Sequence, residues 1–214
     1  VSDTPRRLPG IAPYALPLPA EWPASRADWV LERDRAALLV HDMQHYFVDA
    51  FQAAPVPDLV QHIGTLLAAA RGAGVPVFYT AQQGDQLPAD RGRQADLWGP
   101  GMRQVAEHQP IVPALAPATD DIVLVKHRYS AFQRSNLEVL LRARGRDQLI
   151  VCGIYAHIGC LFTAAEAFQL DLQPFMVGDA LGDFSREWHD AALAQAADCC
   201  ARVVATTDVL EALQ

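Results

Sequence analysis

The sequence predicts an α/β fold: a three-layer, doubly wound sandwich around a mostly parallel six-stranded sheet. Three observations lead there. Short apolar runs recur without the period of two that marks a half-exposed strand, as expected of strands covered on both faces. Helical patterns lie between these runs. The connections are short, and strand–helix alternation of this kind builds a parallel sheet with helices on both sides.

The elements follow in chain order. Residues 1–30 stand apart, because six of the 15 prolines lie there, Pro5, Pro9, Pro13, Pro17, Pro19 and Pro23. Proline neither continues a helix nor sits in a central strand. The segment therefore reads as an extended arm lying on the globule and anchored by Tyr14, Trp22 and Trp29, with a mobile tail as the alternative. Residues 31–214 form one domain. Its strands are Ala36–Val40, Val75–Thr80, Ile122–Val125, Leu149–Cys152, Phe175–Val177 and Val203–Ala205. Leu59, Ile63, Leu66, Leu67 and Ala70 follow helical spacing, and Gly72 and Gly74 end that helix. Ser135 and Glu138 have the spacing of a capping box ahead of Leu137, Leu140 and Leu141. Residues 159–170 are almost wholly apolar or small, which predicts a buried helix, and Trp188, Ala192, Gln195 and Cys199 mark another.

Composition narrows the function. Half the chain is hydrophobic, at 51%, which supplies a core and excludes a disordered chain. The net charge of −8 argues against binding nucleic acid or an anionic membrane surface, both of which require clustered cations. No apolar run nears the roughly 18 residues that span a bilayer. Arg6 and Arg7 precede no apolar stretch of a secretory signal, so a cytoplasmic location is expected, although a cleaved signal leaves no trace in a mature chain. Cys152, Cys160, Cys199 and Cys200 make no C-x-x-C pair and read as reduced thiols.

In a doubly wound sheet, ligands bind outside the carboxyl ends of the strands. The residues delivered there are His41 and Asp42, then Gln82 and Gln83, then Lys126, His127 and Arg128, then Gly153, Tyr155 and His157. Each alone has an ordinary explanation, since a strand-end Asp is often a cap and a strand-end Lys is often solvated. Together they place an acid, an amide, an amine and a phenol on one edge. His41, Asp42 and His45 could suggest a metal, but without further ligands no metal site is expected.

These residues carry a resemblance. His41-Asp42-Met43-Gln44-His45-Tyr46-Phe47, Tyr79-Thr80-Ala81-Gln82, Trp98-Gly99-Pro100-Gly101 and Lys126-His127-Arg128-Tyr129-Ser130-Ala131-Phe132 resemble motifs of the isochorismatase family. So do Gly145-Arg146-Asp147-Gln148-Leu149, the run Gly153 to Cys160, Asp179-Ala180 and Asp183-Phe184-Ser185, and the similarity extends from Tyr14 to the C-terminus. Amidohydrolase members use an Asp–Lys–Cys triad whose Cys opens the helix after the fourth strand. Here that position is Gly159, and Cys160 lies one residue on, about 100° around a helix. Members with Gly instead cleave a vinyl ether, for which no nucleophile is needed. The glycine is expected to open room for the enolpyruvyl group, with the helix N-terminus favouring its carboxylate.

The resemblance implies hydrolysis of isochorismate to 2,3-dihydro-2,3-dihydroxybenzoate and pyruvate, in siderophore or other secondary-metabolite biosynthesis. The alternative substrate is 2-amino-2-deoxyisochorismate, which would give trans-2,3-dihydro-3-hydroxyanthranilate. It casts Asp42 as the general acid and Lys126 as the group orienting it. Gln82, Arg91, Tyr155 and Gly159 become substrate contacts, and Trp98 and Tyr46 become walls. Arg91 suits a carboxylate through bidentate pairing. The Ile154–Tyr155 bond corresponds to a position that is cis in the family. No cofactor is implied, and a homodimer is. His127 stands where the family usually has Trp, and alternation along a strand predicts that it points away from Lys126. Two-domain members carry a carrier domain; none follows in the sequence to Gln214, so a stand-alone enzyme is expected unless the chain was cut. Two other readings remain: an amidohydrolase recruiting Cys160, and a non-catalytic interaction module.

Overall fold

The computed structural model describes residues 8–214, so the first seven residues of the expected arm, Pro5 among them, lie outside the described residues. Six strands form one sheet: β1 (Ala36–His41), β2 (Val77–Ala81), β3 (Ile122–Val125), β4 (Gln148–Ile154), β5 (Gln173–Gly182) and β6 (Arg202–Val204). Their spatial order is β3-β2-β1-β4-β5-β6, and every neighbouring pair is parallel. The winding reverses between β1 and β4, so the crevice beyond their carboxyl ends is the expected ligand site.

Alternation along the strands divides the core into two layers. Leu38, Val40, Ile150 and Cys152 face α2 (Val56–Gly72) and α8 (Thr206–Ala212), while Ala37, Leu39, Leu149 and Val151 face α5 (Leu137–Ala143), α6 (Leu161–Gln169) and α7 (Arg186–Cys199). Short helices α1 (His45–Val48), α3 (Pro88–Arg91) and α4 (Gln94–Trp98) lie in the loops after β1 and β2. The strand at 173–182 is far longer than the apolar run Phe175–Val177 suggests, because β5 continues past a register shift to pair Leu181 with Gly153.

Three local expectations change. The capping box does not form: the Ser135 hydroxyl donates to Ala131 O and accepts from Leu137 N–H, while Glu138 pairs with Arg142. The segment 159–170 is not buried all round. It opens with a π-helical turn, Ala156–Cys160, and α6 then buries Leu161, Thr163, Ala164 and Ala167 while Phe162 and Phe168 stay exposed. The last expected helix, α7, exists and is capped by the Ser185 hydroxyl, but its buried stripe is His189, Ala192, Leu193, Ala196 and Ala197. Of the residues that marked it, only Ala192 faces inward; Trp188, Gln195 and Cys199 face solvent.

The proline-rich segment runs along the globule. Ile11 N–H donates to Ala50 O, and Gln52 N–H donates back to Ile11 O. The Tyr14 hydroxyl accepts from Asp183 N–H at 2.7 Å. The Trp22 ring lies against Gly178, where an added Cβ would come within 2.7 Å of it. Trp29 packs on Phe175 and Phe168, and its carbonyl accepts from Arg202.

Candidate active site

β1 ends at His41, and the chain turns at Asp42 through a left-handed φ of 50°. This turn carries the Asp42 carboxylate beyond the strand ends, where Lys126, the first residue after β3, reaches it. Lys126 Nζ donates to Asp42 Oδ2 at 2.6 Å, and the Thr80 hydroxyl donates to Oδ1 at 2.6 Å. Thr80 Oγ1 in turn accepts from Asp42 N–H at 3.1 Å, so the carboxylate is held at both oxygens and through its own backbone. Asp42 and Lys126 are both buried. Burial pushes the Asp42 carboxyl up, but the Lys126 charge, a smaller contribution from His41 and the two hydrogen bonds outweigh it, and Asp42 is held below the usual carboxylate range.

Asp42, Lys126, Gln82, Arg91, Trp98, Tyr155, Gly159 and Tyr46 line one cavity. Topology brings them there from the ends of β1, β2, β3 and β4 and from the loop after β2. Gln82 is set by Gln44, whose side chain accepts from Gln82 N–H at 2.7 Å and donates to Gln82 O at 2.9 Å. The Arg91 guanidinium is buried and donates to Gly99 O, Gln82 Oε1 and Gln94 Oε1, all uncharged acceptors. Among the described residues no carboxylate pairs with it, and burial lowers its pKa. The Trp98 indole donates to the Tyr129 hydroxyl at 2.7 Å. Tyr155 presents its ring: its hydroxyl proton is committed to Phe47 O at 2.8 Å, and Phe184 packs on it with centroids 4.4 Å apart. The Ile154–Tyr155 peptide is cis.

Sequence reasoning missed several members. Leu8 from the arm, Phe47, Gln94, Tyr129, Ile158 and Phe184 also line the cavity. Phe47, Tyr129, Ile158 and Phe184 lie inside the motifs that carry the resemblance, so a signal exists for them; Leu8 and Gln94 have none. Thr80 likewise lies inside one, which assigns it no role. Other strand-end residues stay outside the cavity. Gln83 is exposed, and His127 does not line it. His157 Nδ1 turns to Asp183 at 2.6 Å, and its ring stacks on Trp188. His45 faces Asp49 at 3.5 Å and does not line the cavity.

The environment of Gly159 corrects one expectation. Its missing side chain does not leave room for ligand: a Cβ there would fall 2.0 Å from His41 Cε1, so the imidazole already fills that space. Cys160 is buried, burial raises its pKa well above the ordinary thiol value, and it does not line the cavity.

His41 makes stability pH-dependent. Burial first, then the Lys126 charge, push its pKa from 6.5 down to about 4, although Asp42 pulls it up. Below pH 6.5 the unfolded chain takes up a proton that the folded chain refuses until about pH 4, so stability falls as pH drops through that window. At about 1.4 kcal/mol per unit, the full loss is about 3 kcal/mol. The lowered pKa of Asp42 has the same sign and adds to the loss at still lower pH. Urea unfolding at pH 7 and at pH 4.5 measures this, and equal midpoints would contradict it.

Comparison with known proteins agrees with this geometry. The family model for the isochorismatase domain matches residues 36–208. The isochorismatase of Bacillus subtilis (strain 168) is 50% identical over 97% of this chain and 67% of that protein. Phenazine biosynthesis protein PhzD of Pseudomonas fluorescens is 46% identical over 95% of this chain and 98% of its own length. A solved cysteine hydrolase from Pseudomonas syringae pv. phaseolicola 1448A superposes with a TM-score of 0.78 at 28% identity, over 89% of this chain and 97% of that one. With the sheet order, the strand-end cavity and these matches in agreement, the chain belongs to the isochorismatase family.

Proposed function

We propose that the protein hydrolyses the enolpyruvyl vinyl ether of isochorismate, releasing pyruvate and 2,3-dihydro-2,3-dihydroxybenzoate. One observation carries the reading. The ionisable groups lining the cavity are a carboxylate, an ammonium, a guanidinium and tyrosine phenols, and among the described residues no serine, threonine, cysteine or histidine lines it. Such a set suits proton transfer to a carboxylated substrate and offers no nucleophile for acyl transfer. This disfavours the amidohydrolase reading, whose thiol Cys160 is out of reach.

In the proposed reaction Asp42 delivers its proton to the terminal methylene carbon. The vinyl ether becomes an oxocarbenium ion, water adds to its cationic carbon, and the water's surplus proton returns to the Asp42 carboxylate. The hemiketal then collapses: the bond from the former vinyl carbon to the ring-bound oxygen breaks while the hemiketal hydroxyl proton passes to that oxygen, leaving pyruvate and the ring hydroxyl. Lys126 orients Asp42, and Arg91 receives a substrate carboxylate. A dianionic substrate beside Lys126 offsets the charge that lowers the Asp42 pKa, so the complex holds the proton better than the free enzyme. Hydrolysis without redox change needs no cofactor.

The same cavity suits 2-amino-2-deoxyisochorismate, the alternative substrate, which differs by one amino group. Residues 31–214 are the proposed catalytic domain, and of the proposed arm, residues 1–30, the described part 8–30 lends Leu8 to the wall. A homodimer is inferred from the family resemblance, and light scattering should give twice the 23.4 kDa of one chain.

The test is pyruvate release coupled to lactate dehydrogenase, with both substrates side by side. Pyruvate from either, unaffected by EDTA or a thiol alkylator, is expected, and the ratio of kcat/KM names the substrate. Pyruvate from neither overturns the reading. Arg91→Ala should raise KM about 10- to 100-fold, the worth of a charged hydrogen-bonded contact, with a smaller change in kcat. An unchanged KM would remove Arg91 from the carboxylate site.

A further inference from the structure

Two glycines clear space for one residue. At Gly153, in β4, φ is +111° and an added Cβ would meet His41 O at 2.2 Å; at Gly159 it would meet the His41 ring at 2.0 Å. Both approaches converge on His41, which has no exposed surface. The ring is held in place. Its Nδ1 lies 2.9 Å from Ile154 O, and because a carbonyl only accepts, Nδ1 carries the hydrogen. Its Nε2 packs 3.4 Å from Thr163 Oγ1, and since the Thr163 proton goes to Gly159 O at 2.6 Å, this is a contact without a shared hydrogen. The same Nδ1 stands 3.7 Å from Asp42 Oδ2, so the ring lies beside the carboxylate while not itself lining the cavity.

We propose that His41 is a positioning residue for Asp42, and that Gly159 is glycine in order to admit the His41 ring. The pair forms one steric lock. The ring ties the turn after β1 to the end of β4 through Ile154 O, which sets where the Asp42 carboxylate stands between Lys126 and Thr80. It also occupies the space that a side chain at 159 would need, so a nucleophile-bearing residue there is incompatible with histidine at 41. The proposal rests on the reading of Asp42 as the acid, but half of it is testable without activity.

Stability reads the lock. Gly159→Ala with His41 intact should lower Tm, because the ring has nowhere to go. His41→Ala should lower Tm in the wild-type chain, where it leaves a cavity, and raise it in the Gly159→Ala chain, where it relieves the clash. Simple additivity of the two substitutions, or an unchanged Tm for Gly159→Ala, overturns the lock. Turnover reads the positioning. His41→Leu should lower kcat about 10²-fold, the scale of a misplacement near 1 Å, with KM within a few-fold of wild type. His41→Asn retains a donor toward Ile154 O and should recover most of that loss. Equal kcat for the Leu and Asn variants overturns the positioning role. If neither substrate releases pyruvate, the proposed reaction fails, while the Tm comparison still decides the lock.

Discussion

Asp42→Asn is expected to lower kcat by about 10²- to 10⁴-fold, the usual contribution of a general acid, while substrate binding persists. The variant suits the purpose because its geometry can be kept. An amide oxygen can still accept from Lys126, and the amide nitrogen can donate to the Thr80 hydroxyl that now donates to Asp42. What disappears is the transferable proton. The wild-type pH profile should agree. An acid acts only while protonated, so kcat should fall as pH rises through the Asp42 pKa in the substrate complex. In the free enzyme that pKa is held below the carboxylate range, so the complex should titrate higher. Binding is read by titration calorimetry and turnover by pyruvate release. Near-normal turnover in Asp42→Asn would sink the assignment.

Lys126→Met should cost about 3–5 kcal/mol of stability near neutral pH, the scale for breaking a buried ion pair from one side. Lys126 and Asp42 are 4% and 5% exposed, so no solvent is available to replace the lost charge. Without the ammonium, burial dominates and the Asp42 pKa rises above its unfolded value. The folded carboxyl then keeps a proton that the unfolded chain releases. Asp42's share of the variant's stability should therefore fall as pH rises from about 4, the unfolded carboxylate value, through the raised folded pKa, against the opposite slope that buried His41 still contributes, and the Asp42→Asn double variant isolates it. Wild type has the opposite sign, because its Asp42 and His41 pKa values are both lowered. Adding Asp42→Asn to Lys126→Met should recover much of the loss at neutral pH. Urea unfolding of the single and double variants across pH measures this, and a single variant as stable as wild type at pH 7 would show that the pair is not coupled.

These experiments separate roles that the cavity mixes. Asp42 should move kcat, Arg91 should move KM, and Lys126 should move both stability and the pH at which Asp42 titrates. A non-catalytic relative would keep the Lys126 stability effect, since that effect comes from burial alone, and would release no pyruvate.

The sequence by itself determined the strands, their parallel arrangement and the identity of the strand-end residues. Continuous apolar runs such as Ala36–Val40 have one structural outcome when helical patterns separate them, and a doubly wound sheet gathers the ends of its strands. That is why Asp42, Gln82, Lys126 and Tyr155, far apart in the chain, fall on one edge by topology alone. Faces and partners were decided only by tertiary structure. On α7 the periodic marks Trp188, Gln195 and Cys199 proved to be the solvent stripe, because small alanines on the opposite side let the helix approach the sheet closely. Ser135 had the spacing of a cap, yet its hydroxyl found Ala131 O first. Gly159 looked like an opening for ligand, and only the fold brings the His41 ring into that space. Periodicity reports which residues must leave water, whereas contacts between distant segments depend on how strand twist and helix packing bring particular atoms together.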